Sequence, residues 1–318
     1  MDHSIFSKQR HSRSRRKGVL HLLFVCTVLI SLFFPAALAD SAAENSNPRC
    51  FALLISNGQY LNTEMYELPS AYEDTAAMKN ALEGMNPAWI ITEAHDVTGA
   101  CFVPAMENAF RDAGEDDICL FYYAGHGSYD ADNHPGALKG IDAGMLEENY
   151  ADAFLSTQEL GDTLERLCPG KVIVILESCG SGSAIYNGEP LTGLVSPVTD
   201  IELLNSDEMT RVGGLRRKRF TVAAATEHGD WAYPFPDDDP RLHGIFSYCI
   251  LEALGCSPDG TYTGSMPGDQ NGDGMLTLGE LMDYTRSLYQ ELRPTLPEDF
   301  PFQAFQFYGD RDTILFRR

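Results

Sequence analysis

Basic residues are scarce in this 318-residue chain: 23 Lys and Arg stand against 46 Asp and Glu, a net charge of −23. Six of those cations, Lys8, Arg10, Arg13, Arg15, Arg16 and Lys17, lie within residues 1–39 beside a single acid, Asp2. That head carries +5, which taken from −23 leaves −28 on residues 40–318. Gripping a phosphate backbone takes clustered Lys and Arg, and beyond residue 39 the only strong cluster is Arg216-Arg217-Lys218-Arg219. The composition therefore argues against nucleic acid as a partner, while an acidic surface favours solubility and attracts cations or basic peptides. No Cys-x-x-Cys pair occurs, so thiolate zinc sites are not expected. Internal repeats and low-complexity tracts are also missing, which removes solenoids and compositional linkers.

Long apolar runs are equally rare. The one present, Val19–Phe34, is broken only by His21, Thr27 and Ser31. It follows the basic head and precedes Ala37-Leu38-Ala39, a small-x-small cleavage pattern. These are the three parts of a secretory signal peptide over residues 1–39, which implies export and no membrane contact after cleavage. The alternative is an uncleaved anchor, since the stretch through Ala39 is almost long enough to span a bilayer. Cys26 would leave with the leader. Seven cysteines would remain, Cys50, Cys101, Cys119, Cys168, Cys179, Cys249 and Cys256, an odd number that leaves at least one thiol unpaired within the chain.

The stretch that organises the remainder is Lys171–Ser183, KVIVILESCGSGS. Val172–Leu176 is a continuous aliphatic run, as a strand buried on both faces requires, and it ends in Glu177-Ser178-Cys179 and a small-residue turn. Ile118–Tyr123 has the same design and ends in Ala124-Gly125-His126-Gly127-Ser128. Ligands of open α/β sheets sit at the carboxyl ends of the strands. One strand there delivers a cysteine and another a histidine, the parts of a thiol–imidazole pair.

The segments FYYAGHGS and VIVILESCGSGS resemble the His-Gly and Cys motifs of the caspase-like cysteine peptidases, most closely metacaspase-like members from bacteria. The likeness covers most of the chain after residue 50. It implies an α/β caspase-like fold over residues 40–318, with about six mostly parallel strands and helices on both faces. The alternation along the chain agrees. Strands are expected at Phe51–Ser56, Trp89–Ala94, Phe220–Thr226 and Phe302–Tyr308, and a hairpin near Ala137–Ile141. Helices are expected behind capping boxes at Ser70–Glu73 and Ser156–Glu159, at Pro104–Ala113, at Ile245–Leu254 and at Leu278–Leu292. Asn187–Gly214 reads as a long surface loop.

The resemblance also implies peptide-bond hydrolysis through a thioester. Cys179 attacks, His126 moves the proton, and the backbone N–H groups of Gly127 and Cys179 receive the oxyanion. No third residue stands out to orient His126. Glu177 lies two residues before Cys179, on the same side of the strand, so its carboxylate is expected to line the pocket beside the nucleophile. Asp74, within LPSAYED, matches an acidic position that lines that pocket in the Arg/Lys-specific metacaspases, so cleavage after Arg or Lys is expected. Ala124 departs from the serine those enzymes often carry. Arg216–Arg219 is then a candidate self-cleavage site or a solvated strand entry. His95, His134, His228 and His243 read as solvated, and Asp142 as a turn residue. The rival readings are a legumain-like asparaginyl peptidase or transpeptidase, and a calcium-dependent binding module on an inactive scaffold.

A second motif is independent of the first. Asp269–Glu280 (DQNGDGMLTLGE) has the spacing of a twelve-residue EF-hand loop. Asp269, Asn271 and Asp273 offer side-chain oxygens, Gly274 the tight turn, Met275 a backbone carbonyl and Glu280 a bidentate carboxylate. Gly260–Gly268 cannot form the preceding helix, so a loop-then-helix Ca²⁺ site is expected, steadying the last helix and strand.

Overall fold

The computed structural model describes residues 48–130, 134–144, 152–186, 198–200, 213–236 and 239–318. The leader and most of the 187–214 loop lie outside the described residues. In chain order the elements are β1 (Cys50–Ser56), α1 (Pro69–Glu83), β2 (Trp89–His95), α2 (Phe102–Phe110), β3 (Ile118–Ala124), β4 (Gly127–Asp130), β5 (His134–Lys139), β6 (Phe154–Ser156), α3 (Thr157–Leu167) and β7 (Lys171–Glu177). Then come β8 (Val198–Asp200), β9 (Phe220–Ala224), α4 (Ile245–Leu254), β10 (Met275–Thr277), α5 (Leu278–Leu292), β11 (Phe305–Tyr308) and β12 (Ile314–Arg317).

The main sheet has the order β2-β1-β3-β7-β9-β11, with the three-residue β8 at its edge. The first five strands are parallel. β11 runs antiparallel to β9, and β8 follows β11. Alternate side chains feed two cores, because successive residues of a strand point to opposite faces. Leu120, Tyr122, Ile173 and Ile175 pack with α1, α4 and α5. Phe121, Tyr123, Val172 and Val174 pack with α2 and α3. Continuous apolar runs in β1, β3 and β7 are what a sheet covered on both faces demands.

The β3–β7 register places the site. Ala124 pairs with Glu177, so both strands end at one level. His126 and Cys179 each follow two residues later on adjacent strands.

Several expectations need correction. The Ser70–Glu73 capping box does not form: α1 starts at Pro69, Leu68 is the N-cap, and no side chain caps it. Proline at the first helical position has no N–H to satisfy, so the serine is not needed. At α3 the serine half of the box is present, with Glu159 N–H donating to Ser156 Oγ over 3.1 Å. The hairpin at Ala137–Ile141 is a three-stranded sheet, β4-β5-β6, whose first strand begins beside His126. β12 was not expected and pairs with β10. The basic stretch before β9 is pinned in part: Arg217 bonds Asp162 and Glu165, and Arg219 bonds the Cys168 and Gly170 carbonyls. All seven described cysteines are free, and Cys119 is buried within β3.

Candidate active site

Cys179 sits in the turn after β7. Gly180 adopts φ +62°, a left-handed conformation that favours glycine, and its N–H donates to the Asp230 carbonyl over 2.7 Å. The turn is thereby tied to the loop after β9, and Sγ of Cys179 lies 3.8 Å from the Ala232 carbonyl oxygen. The His126 motif packs directly on it. A Cβ added to Gly127 would lie 2.0 Å from the Cys179 carbonyl oxygen, so only glycine fits there.

His126 is oriented by the backbone. Its Nε2 lies 2.8 Å from the Tyr66 carbonyl oxygen, and its own N–H donates to the Tyr60 hydroxyl over 2.8 Å. A carbonyl can only accept, so Nε2 carries the proton and Nδ1 keeps the lone pair. The Tyr60 ring packs against the imidazole in a tilted arrangement, 4.7 Å between centroids. This is the orienting group that the side-chain pattern did not reveal.

The resting pair is a neutral thiol and a neutral imidazole. Burial pushes the Cys179 thiol up, outweighing the Ala232 contact and the positive charge of Lys139. Burial pulls His126 down, and Lys139 adds to that. Lys139, on β5, therefore favours thiolate over thiol and imidazole over imidazolium, the direction a nucleophile–base pair needs.

A cavity of about 400 Å³ joins these groups. His126, Ser178 and Cys179 line one side; Asp74 and Glu177 lie at its base; Tyr66 and Trp231, 85% and 65% exposed, stand at its rim. Glu177 shares the sheet face of Ile173 and Ile175, which turns it towards α1 and α4. Its Oε2 accepts the Ser247 N–H at 2.6 Å, and Gly244 packs against its carboxyl carbon, where a Cβ would come within 2.5 Å. Asp74, on α1, accepts the Gly244 N–H at 3.2 Å and His243 Nδ1 at 2.8 Å. Both carboxylates thus line the cavity and also fill the N-terminus of α4, where negative charge is favoured. Burial, then the Asp74 charge, pushes Glu177 up to about 8. Burial raises Asp74 to about 6, against the pull of His243.

One minor expectation fails here: His243 is not solvated but 4% exposed behind Asp74. Asp74 itself is fully buried, because α4 packs across it. His95 is exposed, as expected, and bonds the buried Ser56 hydroxyl at 2.6 Å. Asp142 is a turn residue, as expected, and accepts the Gly99 N–H at 2.9 Å, which holds the entry to α2. His228 bonds Ser183 at 3.1 Å, and the His134 side chain lies outside the described residues.

The second motif forms a tight loop away from the cleft. Asp269 Oδ2 accepts the Gly274 N–H at 2.8 Å, Asn271 Oδ1 accepts from Asp273, and Asp273 Oδ1 accepts from Met275. Gly274 has φ +82°. Glu280 completes a capping box with Thr277 at the start of α5. Among the described residues no three His, Cys, Asp or Glu side chains converge to hold a metal.

By fold and cleft the protein is a cysteine peptidase of the caspase-like class. The caspase domain model matches residues 49–288, and the chain belongs to that family. A structure it resembles is that of protein GSU0716 from Geobacter sulfurreducens, at 18% identity and a TM-score of 0.50, covering 83% of this chain and 95% of that one. That likeness concerns the fold. A comparison with the curated proteins finds no match.

Proposed function

We propose that the protein is an exported endopeptidase that cleaves after arginine or lysine, using Cys179 and His126. The observation that carries the specificity is the pair of buried carboxylates, Asp74 and Glu177, at the base of the cavity that holds the dyad. In the reaction, Sγ attacks the scissile carbonyl while Nδ1 of His126 takes its proton. The tetrahedral oxyanion is received by the N–H groups of Gly127 and Cys179. The imidazolium returns the proton to the leaving amine as the C–N bond breaks, which leaves a thioester on Cys179. A water then attacks the thioester, giving its proton to Nδ1, and the thiolate leaves and is reprotonated.

A substrate cation at the base of the cavity displaces the proton that burial keeps on Glu177 near neutral pH, and a guanidinium can then pair with the carboxylate through two N–H groups. We further propose that Asp269, Asn271, Asp273, the Met275 carbonyl and Glu280 hold a Ca²⁺ that steadies α5 and the β10–β12 pair. The donors fit that ion: all are oxygens, and the left-handed Gly274 gives the turn. The loop carboxylates can keep their backbone N–H partners while holding the ion, because each has about four lone-pair sites.

The test is a panel of peptides with Arg, Lys, Asn or Asp before the scissile bond, assayed on the wild type, Cys179→Ala, His126→Ala and Glu177→Gln. Cleavage after Arg and Lys, lost in the first two variants and weakened in the third, is expected. Preference for Asn would return the legumain-like reading, and no cleavage of any peptide the binding-module reading.

A further inference from the structure

His243 is one residue from the N-cap of α4, 4% exposed, with Nδ1 2.8 Å from a fully buried Asp74 oxygen. It does not line the cavity; it lies behind the carboxylate that does. Asp74 carries a second bond from the Gly244 N–H, so its position is fixed from two directions. A pocket meant for a substrate cation thus already has behind it a group able to be one. We propose that His243 sets the charge of the specificity pocket from behind, competing as a built-in cation with the basic side chain of the substrate, so that arginine recognition switches with pH. This rests on the basic-pocket reading above.

The surroundings of His243 support charge on the ring. Burial alone would lower it, but the bond and charge of Asp74 prevail and raise it, helped by Glu73 of α1 and the Pro258 carbonyl after α4. Tyr248 of α4 lies 6.4 Å away, ring to ring. Arg241 is held on Phe235 and Tyr248 and neutralised by Asp239. Glu177 of β7 completes the set through its coupling to Asp74. With His243 charged, the His243–Asp74 pair is neutral and the pocket offers only Glu177. With His243 neutral, the pocket offers two carboxylates. A substrate guanidinium therefore meets repulsion from an imidazolium on the acid side and none on the alkaline side.

The test measures KM against pH for paired peptides ending in arginine or in uncharged, isosteric citrulline. The ratio of the two cancels the ionisation of Cys179 and His126. In the wild type the arginine advantage should grow from pH 6 to pH 9. His243→Gln keeps a donor for Asp74 but never charges. At pH 6 its arginine advantage should exceed that of the wild type by on the order of tenfold, the effect of one unit of pKa coupling, and the two should converge by pH 9. The effect should appear in KM and not in kcat. An independent reading needs no variant: the NMR titration midpoint of His243 should fall when a product peptide ending in arginine is bound, and stay put with citrulline. Superimposable wild-type and Gln curves, or an unmoved midpoint, overturn the role of His243 while leaving the basic pocket standing. No preference for arginine over citrulline at any pH overturns both.

Discussion

At Gly127 two backbone segments meet with no space between them. The Cβ of any other residue would fall 2.0 Å from the Cys179 carbonyl oxygen, and that atom is backbone, not a flexible side-chain tip. Gly127→Ala must therefore push the Cys and His turns apart. Overpacking of this kind costs about 1–3 kcal/mol, and the displaced N–H groups would miss the oxyanion. Denaturant unfolding should show that loss, and kcat should fall more than KM rises; an alanine variant of wild-type activity would remove Gly127 from the oxyanion site. A second residue-scale expectation concerns pH. Glu177 is raised by burial and then Asp74 to about 8, and Asp74 by burial to about 6, while Asp74 raises His243. Each group holds its proton more tightly folded than unfolded. Their contribution to stability is present in acid and fades as pH rises through 6 to 8. The melting temperature of the free enzyme should fall across that window, and Glu177→Gln should flatten the fall. If the two slopes agree, Glu177 is already ionised in the folded pocket across that window, and burial does not hold its proton. Sequence pattern exposed Cys179, His126, Glu177 and Asp74 because each sits at a strand end or in a motif. It could not expose the Tyr66 carbonyl, a backbone atom 60 residues away in the chain, nor Lys139 and His243, which come to the cleft only through the packing of β5 and α4.

At the scale of elements, the same pattern shows what is legible and why. β1, β3 and β7 are apolar throughout because both faces are covered, and such runs announce themselves. α5 was legible, but the capping box that Thr277 and Glu280 form at its start was not assigned from the sequence. The bounds of α4 were legible too, but what fills its first amides was not, since carboxylates from α1 and β7 do so in place of its own Gly244. β12 was missed because four residues carry too little periodicity, and its partner β10 lies inside the proposed calcium loop. That placement yields a prediction. Met275, the residue whose carbonyl would bind the ion, pairs with Arg317 of β12, and Leu276 with Phe316, both members of one antiparallel ladder. A Ca²⁺ ion that binds only the folded loop stabilises the domain by mass action. Millimolar Ca²⁺ should raise the melting temperature, chelator should lower it, and Asp273→Ala should abolish the difference. Mg²⁺, which prefers fewer and more rigid oxygens, should do less. Equal melting temperatures in Ca²⁺ and chelator would mean that Asp269–Glu280 is only a capped turn.

At the scale of the whole molecule, the charge balance and the first strand bear on where the enzyme works. Every residue of β1 is buried, starting at Cys50. Cleavage after Ala39 would leave ten residues, 40–49, before that strand and remove no described element. It would also remove six of the 23 basic residues, deepening the net charge from −23 to −28. A strongly acidic enzyme released from the cell stays soluble and draws basic peptides towards its cleft, which suits a pocket built on Asp74 and Glu177. Among the described residues no helix is long and apolar enough to cross a membrane, and the anchor reading rests on the Val19–Phe34 stretch. The expectation is that expression with an intact leader yields protein outside the cytoplasm whose amino terminus, read by mass spectrometry, is Asp40. Replacing Ala37 and Ala39 by bulky residues should block processing and leave the chain membrane-bound. Wild-type protein recovered from the membrane fraction with residues 1–39 still attached would establish the anchored form instead, and the enzyme would then act only on substrates that reach the membrane surface.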